Sequence, residues 1–167
     1  MFPISWQIVC VEAAGIIRVL LQRPATAMGF TGVKKEYSND SRYSRVISET
    51  PFLHGRAEGI AREYYEDGKP SKETQYHYGY KEGIEKEYYP SGKLKSVTNY
   101  SNQEENGIKT IYFENGGTMS ETPYLDGEKN GVEKEYFESG ILKSETTYIN
   151  GRKDKTQNYD AFGHEIK

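Results

Sequence analysis

The chain has 167 residues, with 22 basic and 25 acidic side chains and a formal net charge of −3. This balance provides no overall attraction for nucleic acid, so no nucleic-acid partner is expected. The single cysteine, Cys10, excludes an intrachain disulfide and a multi-cysteine zinc site. A mean hydropathy of −0.86 is unfavourable for a compact globule but suits a thin repeat array.

Residues 1–31 form a non-repeat N-terminal segment. Its apolar run from Ile4 to Leu21 contains Glu12 and Arg18, each costing about 2.5–3.5 kcal/mol at the centre of a bilayer. We therefore expect no integral membrane span.

Three alternatives remain open for this segment: a capping helix, an export signal, or an untemplated tail upstream of a true start at Met28. Apolar residues at i, i+3, i+4, i+7 and i+8 predict a short capping helix over Glu12–Arg23. Ala25-Thr26-Ala27 is typical of a signal-peptidase site, which would make residues 1–27 an export signal.

The remainder of the chain is repetitive. SETPFLHGRAEG begins at Ser48 and SETPYLDGEKNG begins at Ser120, 72 positions later, which is three times 24. Glycines, threonines and aromatic pairs recur at the same interval. The threonine row is Thr50, Thr74, Thr98, Thr122 and Thr146.

This register divides residues 32–167 into about six repeats. The first is three residues longer than the others, and the last is partial. The repeats span residues 32–58, 59–82, 83–106, 107–130, 131–153 and 154–167.

The residue pattern of each repeat predicts one β-hairpin. In residues 131–154, two stretches of alternating residues flank Ser139-Gly140, and Asn150-Gly151 follows the second stretch. Asn102-Gln103 is the exception among the two-residue turns. The expected fold is all-β: tandem hairpins of 24 residues that form an extended single-layer antiparallel sheet.

Strand alternation assigns side chains to two faces. Val132, Lys134 and Tyr136 point one way, on the face that is richer in aliphatic and aromatic groups. Acids spaced two apart, such as Glu85 with Glu87, predict a solvated charged surface, as does the pair Glu133 and Glu135.

The sequence pattern of the repeats resembles the MORN-variant repeat of bacterial proteins. The resemblance rests on GIEKEYYPSGKLKSVTNY and GVEKEYFESGILKSETTY and covers about residues 32–163. It is most similar to YwqK-type antitoxins. It implies an extended antiparallel sheet, no cofactor and a protein partner, which for some relatives is a toxin.

No catalytic, cofactor-binding or metal-ligating residue is predicted, and we expect a protein that is not an enzyme and has no small-molecule substrate. His54 occupies a turn position, and neither His54 nor His77 has carboxylates or cysteines at a metal-ligand spacing. Cys10 has no identifiable histidine partner.

One row of aromatic residues is the candidate partner-binding site. If the strands are regular, the second ring of each aromatic pair is exposed, and exposed rings are enriched at binding hot spots. The row consists of Tyr65, Tyr89, Phe113 and Phe137.

Two functions are compatible with these features. The first is a cytoplasmic, non-catalytic repeat scaffold that binds protein, with neutralisation of a toxin as its specific form. The alternative is an exported or cell-surface repeat protein that contacts host or envelope components.

Overall fold

The computed structural model describes residues 7–13, 16–22, 29–38 and 44–166, with side chains from residue 29 onwards. The chain divides into two units, residues 1–80 and 81–167. Every regular element in the described residues is a β-strand. Within each unit the strands form an open antiparallel sheet of consecutive hairpins, which confirms the predicted fold class.

The first unit contains seven complete strands, and the strand pairs within it are antiparallel. The short strand β5 and the strand β6 both pair with β4. The strands are β1 (Gln7–Ala13), β2 (Ile16–Gln22), β3 (Gly32–Tyr37), β4 (Val46–Leu53), β5 (Arg56–Ala57), β6 (Gly59–Tyr64) and β7 (Pro70–His77).

The capping helix predicted over Glu12–Arg23 is wrong for the residues that the structure describes there. Strands β1 and β2 form a hairpin in which Gln7 pairs with Gln22, and β2 continues the sheet by pairing Ile17 with Tyr37 of β3. Both strands are rich in isoleucine and valine, whose branched side chains favour strands. Pairing with the edge of β3 therefore outweighs the helical spacing. The proposed cleavage site at residues 25–27 lies outside the described residues.

The second unit continues the same pattern from the boundary at residue 81. Its pairs are again antiparallel, from β8 with β9 to β16 with β17. The strands are β8 (Tyr80–Tyr88), β9 (Leu94–Ser101), β10 (Glu104–Glu105), β11 (Gly107–Tyr112), β12 (Thr118–Leu125), β13 (Glu128–Lys129), β14 (Gly131–Tyr136), β15 (Leu142–Ile149), β16 (Arg152–Tyr159) and β17 (Glu165–Ile166).

Two kinds of turn connect the strands. Two-residue turns have positive φ at both central positions, 48–51° at the first and 73–89° at the second, which is the type I′ geometry that matches strand twist. Longer turns place a glycine at positive φ, as at Gly116 (94°) and Gly140 (84°). The two-residue turns are His54-Gly55, Tyr78-Gly79, Asn102-Gln103, Asp126-Gly127 and Asn150-Gly151.

The buried side chains among the described residues are polar rather than hydrophobic. They lie on the face of each sheet that carries the threonine row, here called the threonine face. No hydrophobic side chain in the described part of the chain is buried to the same degree. The buried residues are Thr74, Glu85, Ser96, Thr98, Thr122, Ser144 and Thr146.

Candidate functional site

In each unit, exposed β-branched aliphatic side chains lie on the sheet face opposite the threonines, here called the aliphatic face; together they are called the aliphatic row. The row places one such residue in each repeat except the last, and each is 43–54% exposed. The aliphatic row comprises Val33 and Ile60 in the first unit and Ile84, Ile108 and Val132 in the second.

A glycine with positive φ precedes each member of the row. Gly107 and Gly131 have φ of 99° and 117°, a conformation that side chains disfavour. These glycines interrupt the strand: β10 ends at Glu105 and β11 begins at Gly107. Ile84 is 44% exposed although β8 continues through Gly83 without a break, so the interruption alone does not expose the row.

In the second unit the aliphatic row has further apolar neighbours. Pro123 is the cross-strand partner of Ile108, and its ring packs so closely on Gly131 that a Cβ there would lie 2.9 Å from Pro123 Cγ. Leu125 and Ile149, beside the two-residue turns, are 52% and 55% exposed. Exposed apolar clusters of this kind mark interaction surfaces.

Charged groups on the aliphatic face are paired across strands. In the first unit, Lys35 Nζ lies 2.6 Å from Glu49 Oε1, and Arg62 Nε lies 3.0 Å from Glu73 Oε1. The hydrogen bond from Lys35 lowers the pKa of Glu49. In the second unit, Lys134 Nζ lies 3.9 Å from Glu145 Oε1. These three pairs therefore add no net charge beside the aliphatic row.

The predicted aromatic row lies where strands end and the longer turns begin. Its members Tyr65, Tyr89, Phe113 and Phe137 directly follow β6, β8, β11 and β14. All four are half-buried rather than fully exposed. The Tyr89 hydroxyl donates to the Tyr112 carbonyl oxygen at 2.6 Å. The structure thus gives at least one ring a structural contact, and partner binding by the row stays a prediction.

The interpretation of the paired acids as a solvated surface is wrong for two of them. Glu85 is only 6% exposed, and its Oε2 lies 2.8 Å from Lys81 Nζ. Glu133 Oε1 accepts hydrogen bonds from Lys129 Nζ at 2.6 Å and from Thr122 Oγ1 at 2.8 Å. A carboxylate that is partnered in this way can lie among threonines without remaining in water.

These polar clusters include a tyrosine as well. Lys129 Nζ lies 4.7 Å from the centre of the Tyr148 ring, within the range of a cation–π interaction. Burial raises the pKa of Glu133, but hydrogen bonds from Lys129, Thr122 and Tyr148 outweigh it, and the net pKa is lowered. Each cluster thus combines an ion pair, threonine and an aromatic ring.

His54 and His77 lie at the protein surface. His54 is a turn residue, as predicted, with φ of 51°. His77 Nδ1 lies 2.8 Å from Glu58 Oε1. No cluster of three or more histidine, cysteine or acidic residues that could hold a metal ion is found in the part of the chain that the structure describes.

Sequence reasoning missed the aliphatic row as a candidate surface. The signal was present, because a valine or isoleucine follows the glycine at Gly32, Gly59, Gly83, Gly107 and Gly131.

Comparison with known families identifies the repeat type. Residues 57–78, 81–102 and 129–150 match the MORN repeat variant, and the starts of these segments fall in the 24-residue register. The match confirms the MORN-variant resemblance for three repeats and indicates a scaffold for binding. No curated protein matches the chain. Among the described residues, no helix is long and apolar enough to cross a membrane.

Proposed function

We propose that the chain is a non-catalytic scaffold that binds a partner protein through the members of the aliphatic row in the second unit. The observation that carries this proposal is the recurrence of one solvent-exposed aliphatic side chain in successive hairpins of the second unit, at Ile84, Ile108 and Val132. Hairpins of one sheet hold these side chains about 10 Å apart, two strand spacings. Such spacing suits an extended apolar surface on the partner.

The electrostatics favour a partner without strong net charge at the contact. Lys134 and Glu145 lie across neighbouring strands beside Val132, and pairs of this kind leave no excess of one sign. Affinity would then come mainly from desolvating aliphatic side chains.

The specific function that we propose is that of an antitoxin. The MORN-variant match supports a binding scaffold, and neutralisation by a bound protein requires no catalytic group. We further propose a cytoplasmic location, because an antitoxin that neutralises a toxin before the toxin is released must bind it in the cytoplasm. The alternative is an exported protein that contacts host or envelope components.

Co-expression with the products of the adjacent genes tests the antitoxin function. The chain should bind one neighbour and restore growth of cells that produce it. Failure to bind or neutralise any neighbour would remove the antitoxin function. N-terminal sequencing after fractionation separates the locations: an intact cytosolic chain is expected, whereas an envelope chain beginning at Met28 would favour export.

A matched pair of variants tests the surface. Ile84→Thr with Ile108→Thr keeps two β-branched residues but removes apolar area, and we expect at least about a tenfold loss of affinity. The control is Lys95→Thr with Lys143→Thr, which removes two exposed lysines from the same unit. Equal affinity of both double variants would rule out the aliphatic row as the contact surface.

A further inference from the structure

The hairpin formed by β6 and β7 lacks an ion pair that all three complete hairpins of the second unit contain. In those hairpins, a lysine and a glutamate four residues apart lie on the threonine face, with Nζ–Oε distances of 2.6–2.8 Å. The 24-residue register places Ala57 and Ala61 at the corresponding positions of the first unit. Two methyl groups therefore replace an ammonium and a carboxylate.

The residues that surround the ion pair elsewhere are still present around this hairpin. Around Glu133 they are Thr122, Thr146 and Tyr148: Thr122 donates to the carboxylate, Thr146 is its cross-strand partner, and the tyrosine ring faces the lysine. The corresponding residues in the first unit are Thr50, Thr74 and Tyr76.

A groove of about 410 Å³ lies at this position. Thr50, Ala61, Thr74 and Tyr76 all contribute to its wall, together with Ser48 and Ser71. The volume is large enough for a small organic molecule. The groove thus offers the surroundings of the ion pair, and Ala61, at the position of the glutamate, borders its space.

Of the three charged residues that line the groove, Glu36 and Arg62 are paired, and Glu63 is the third. Glu36 accepts a hydrogen bond from Ser48 and lies 3.2 Å from Lys34. Arg62 is paired with Glu73 at 3.0 Å. A ligand with a net charge would find no unpaired counter-ion in these pairs, whereas a neutral zwitterion requires none.

We propose that this groove binds a small zwitterion whose ammonium and carboxylate are adjacent, the arrangement of a free α-amino acid. The ligand carboxylate lies where the Glu133 carboxylate lies in its own hairpin, and it accepts hydrogen bonds from the Thr50 and Tyr76 hydroxyls. The ammonium takes the place of Lys129 and lies over the Tyr76 ring. This inference concerns the threonine face of the first unit and is independent of the proposed protein contact.

Titration of the full ¹⁵N-labelled chain with glycine tests the site. We expect saturable shifts of the Thr50, Thr74 and Tyr76 amide signals, with a Kd on the order of 1 mM. Acetate lacks the ammonium and glycinamide lacks the carboxylate, so each should bind at least about tenfold more weakly. Unshifted signals at ~50 mM glycine, well above that Kd, or equal responses to acetate and glycine, would overturn the proposal.

Two variants provide matched controls. Ala57→Lys with Ala61→Glu fills the groove with the ion pair of the other hairpins and should abolish the response to glycine while the melting temperature is maintained. Lys129→Ala with Glu133→Ala empties the corresponding place in the second unit and should create new glycine-dependent shifts at Thr122 and Tyr148. A filled groove that still responds would place glycine elsewhere and contradict the proposal.

Discussion

Lys109 Nζ lies 2.8 Å from Glu105 Oε1, in an ion pair whose acid precedes its base along the chain. The pairs before and after it have the opposite order, although all three occupy the same positions of the repeat. At each of the two repeat positions, the sign of the charge therefore alternates from one hairpin of the second unit to the next. The reversed pairs are Lys81–Glu85 and Lys129–Glu133.

Inverting the central pair should destabilise the second unit. Glu105→Lys with Lys109→Glu would keep the ion pair but place like charges in successive hairpins, about 10 Å apart. We expect a loss of about 0.5–1 kcal/mol at low salt, measured by urea unfolding. The loss should shrink in 1 M NaCl, where the Debye length is about 3 Å. Unchanged stability at low salt would show that alternation is energetically irrelevant.

Replacing Gln103 by glycine should stabilise the chain. Gln103 has φ of 73° in a two-residue turn whose second position is glycine in the other four turns. A side chain in the left-handed region costs about 1–2 kcal/mol, so Gln103→Gly should raise the melting temperature by about 2–4 °C.

The matched control for that turn is Gly127→Gln. Gly127 has φ of 78° at the corresponding position of the next repeat, and the substitution should lower the melting temperature by a similar amount. If the two substitutions shift melting in the same direction, positive φ does not determine the effect.

The Asn102-Gln103 turn shows why most of the fold was predictable. Its second residue, Gln103, is unfavourable in a type I′ turn, yet the 24-residue register places a turn there, and the structure has one. Residues 1–31 lie outside the register, so their local helical spacing gave the wrong element. Within the repeats, a turn in one repeat predicts a turn at the same position of the next. The pairing of β2 with β3 depends instead on a contact that no local sequence pattern encodes.

The faces were harder to predict than the strands. Alternation correctly separated Val132 from Glu133, but the prediction that the paired acids form a solvated surface failed for Glu133. Val132 is 43% exposed, while Glu133 is held by Lys129 and Thr122. Hydrophobic residues are normally inside because a second layer covers them; an open single-layer sheet provides no such cover.

Tyr100 should titrate at unusually high pH. Burial, together with the nearby carboxylates of Glu85 and Glu105, raises its pKa to about 12, against about 10 for an ordinary tyrosine. Ultraviolet difference titration of the wild-type chain against Tyr100→Phe should isolate this ionisation.

The same shift predicts a change in alkaline stability. Because the folded-state pKa is raised, the contribution of Tyr100 is complete below about pH 10. It declines as the pH rises through the folded value of about 12. Tyr100→Phe should therefore lose stability less steeply over this interval, and parallel curves for both proteins would contradict the assignment.

The aromatic row should contribute to stability as well as offering a contact surface. Tyr89→Phe removes the hydroxyl that donates to Tyr112 and should cost about 0.5–1.5 kcal/mol. Tyr89→Ser with Phe113→Ser should lower the melting temperature further, because both rings are half-buried. Lost partner binding with unchanged melting would instead make these rings purely an interface.

Charge alternation in the second unit sets the shortest insertion of repeats that places no like charges in neighbouring hairpins. Duplicating residues 105–128 alone would place Glu105 beside a second copy of itself, whereas duplicating residues 81–128 preserves the order lysine, glutamate, lysine. The physically complete module is thus 48 residues, twice the period visible in the sequence. Comparing the melting temperatures of the two insertions would show it: the longer insertion should be the more stable protein.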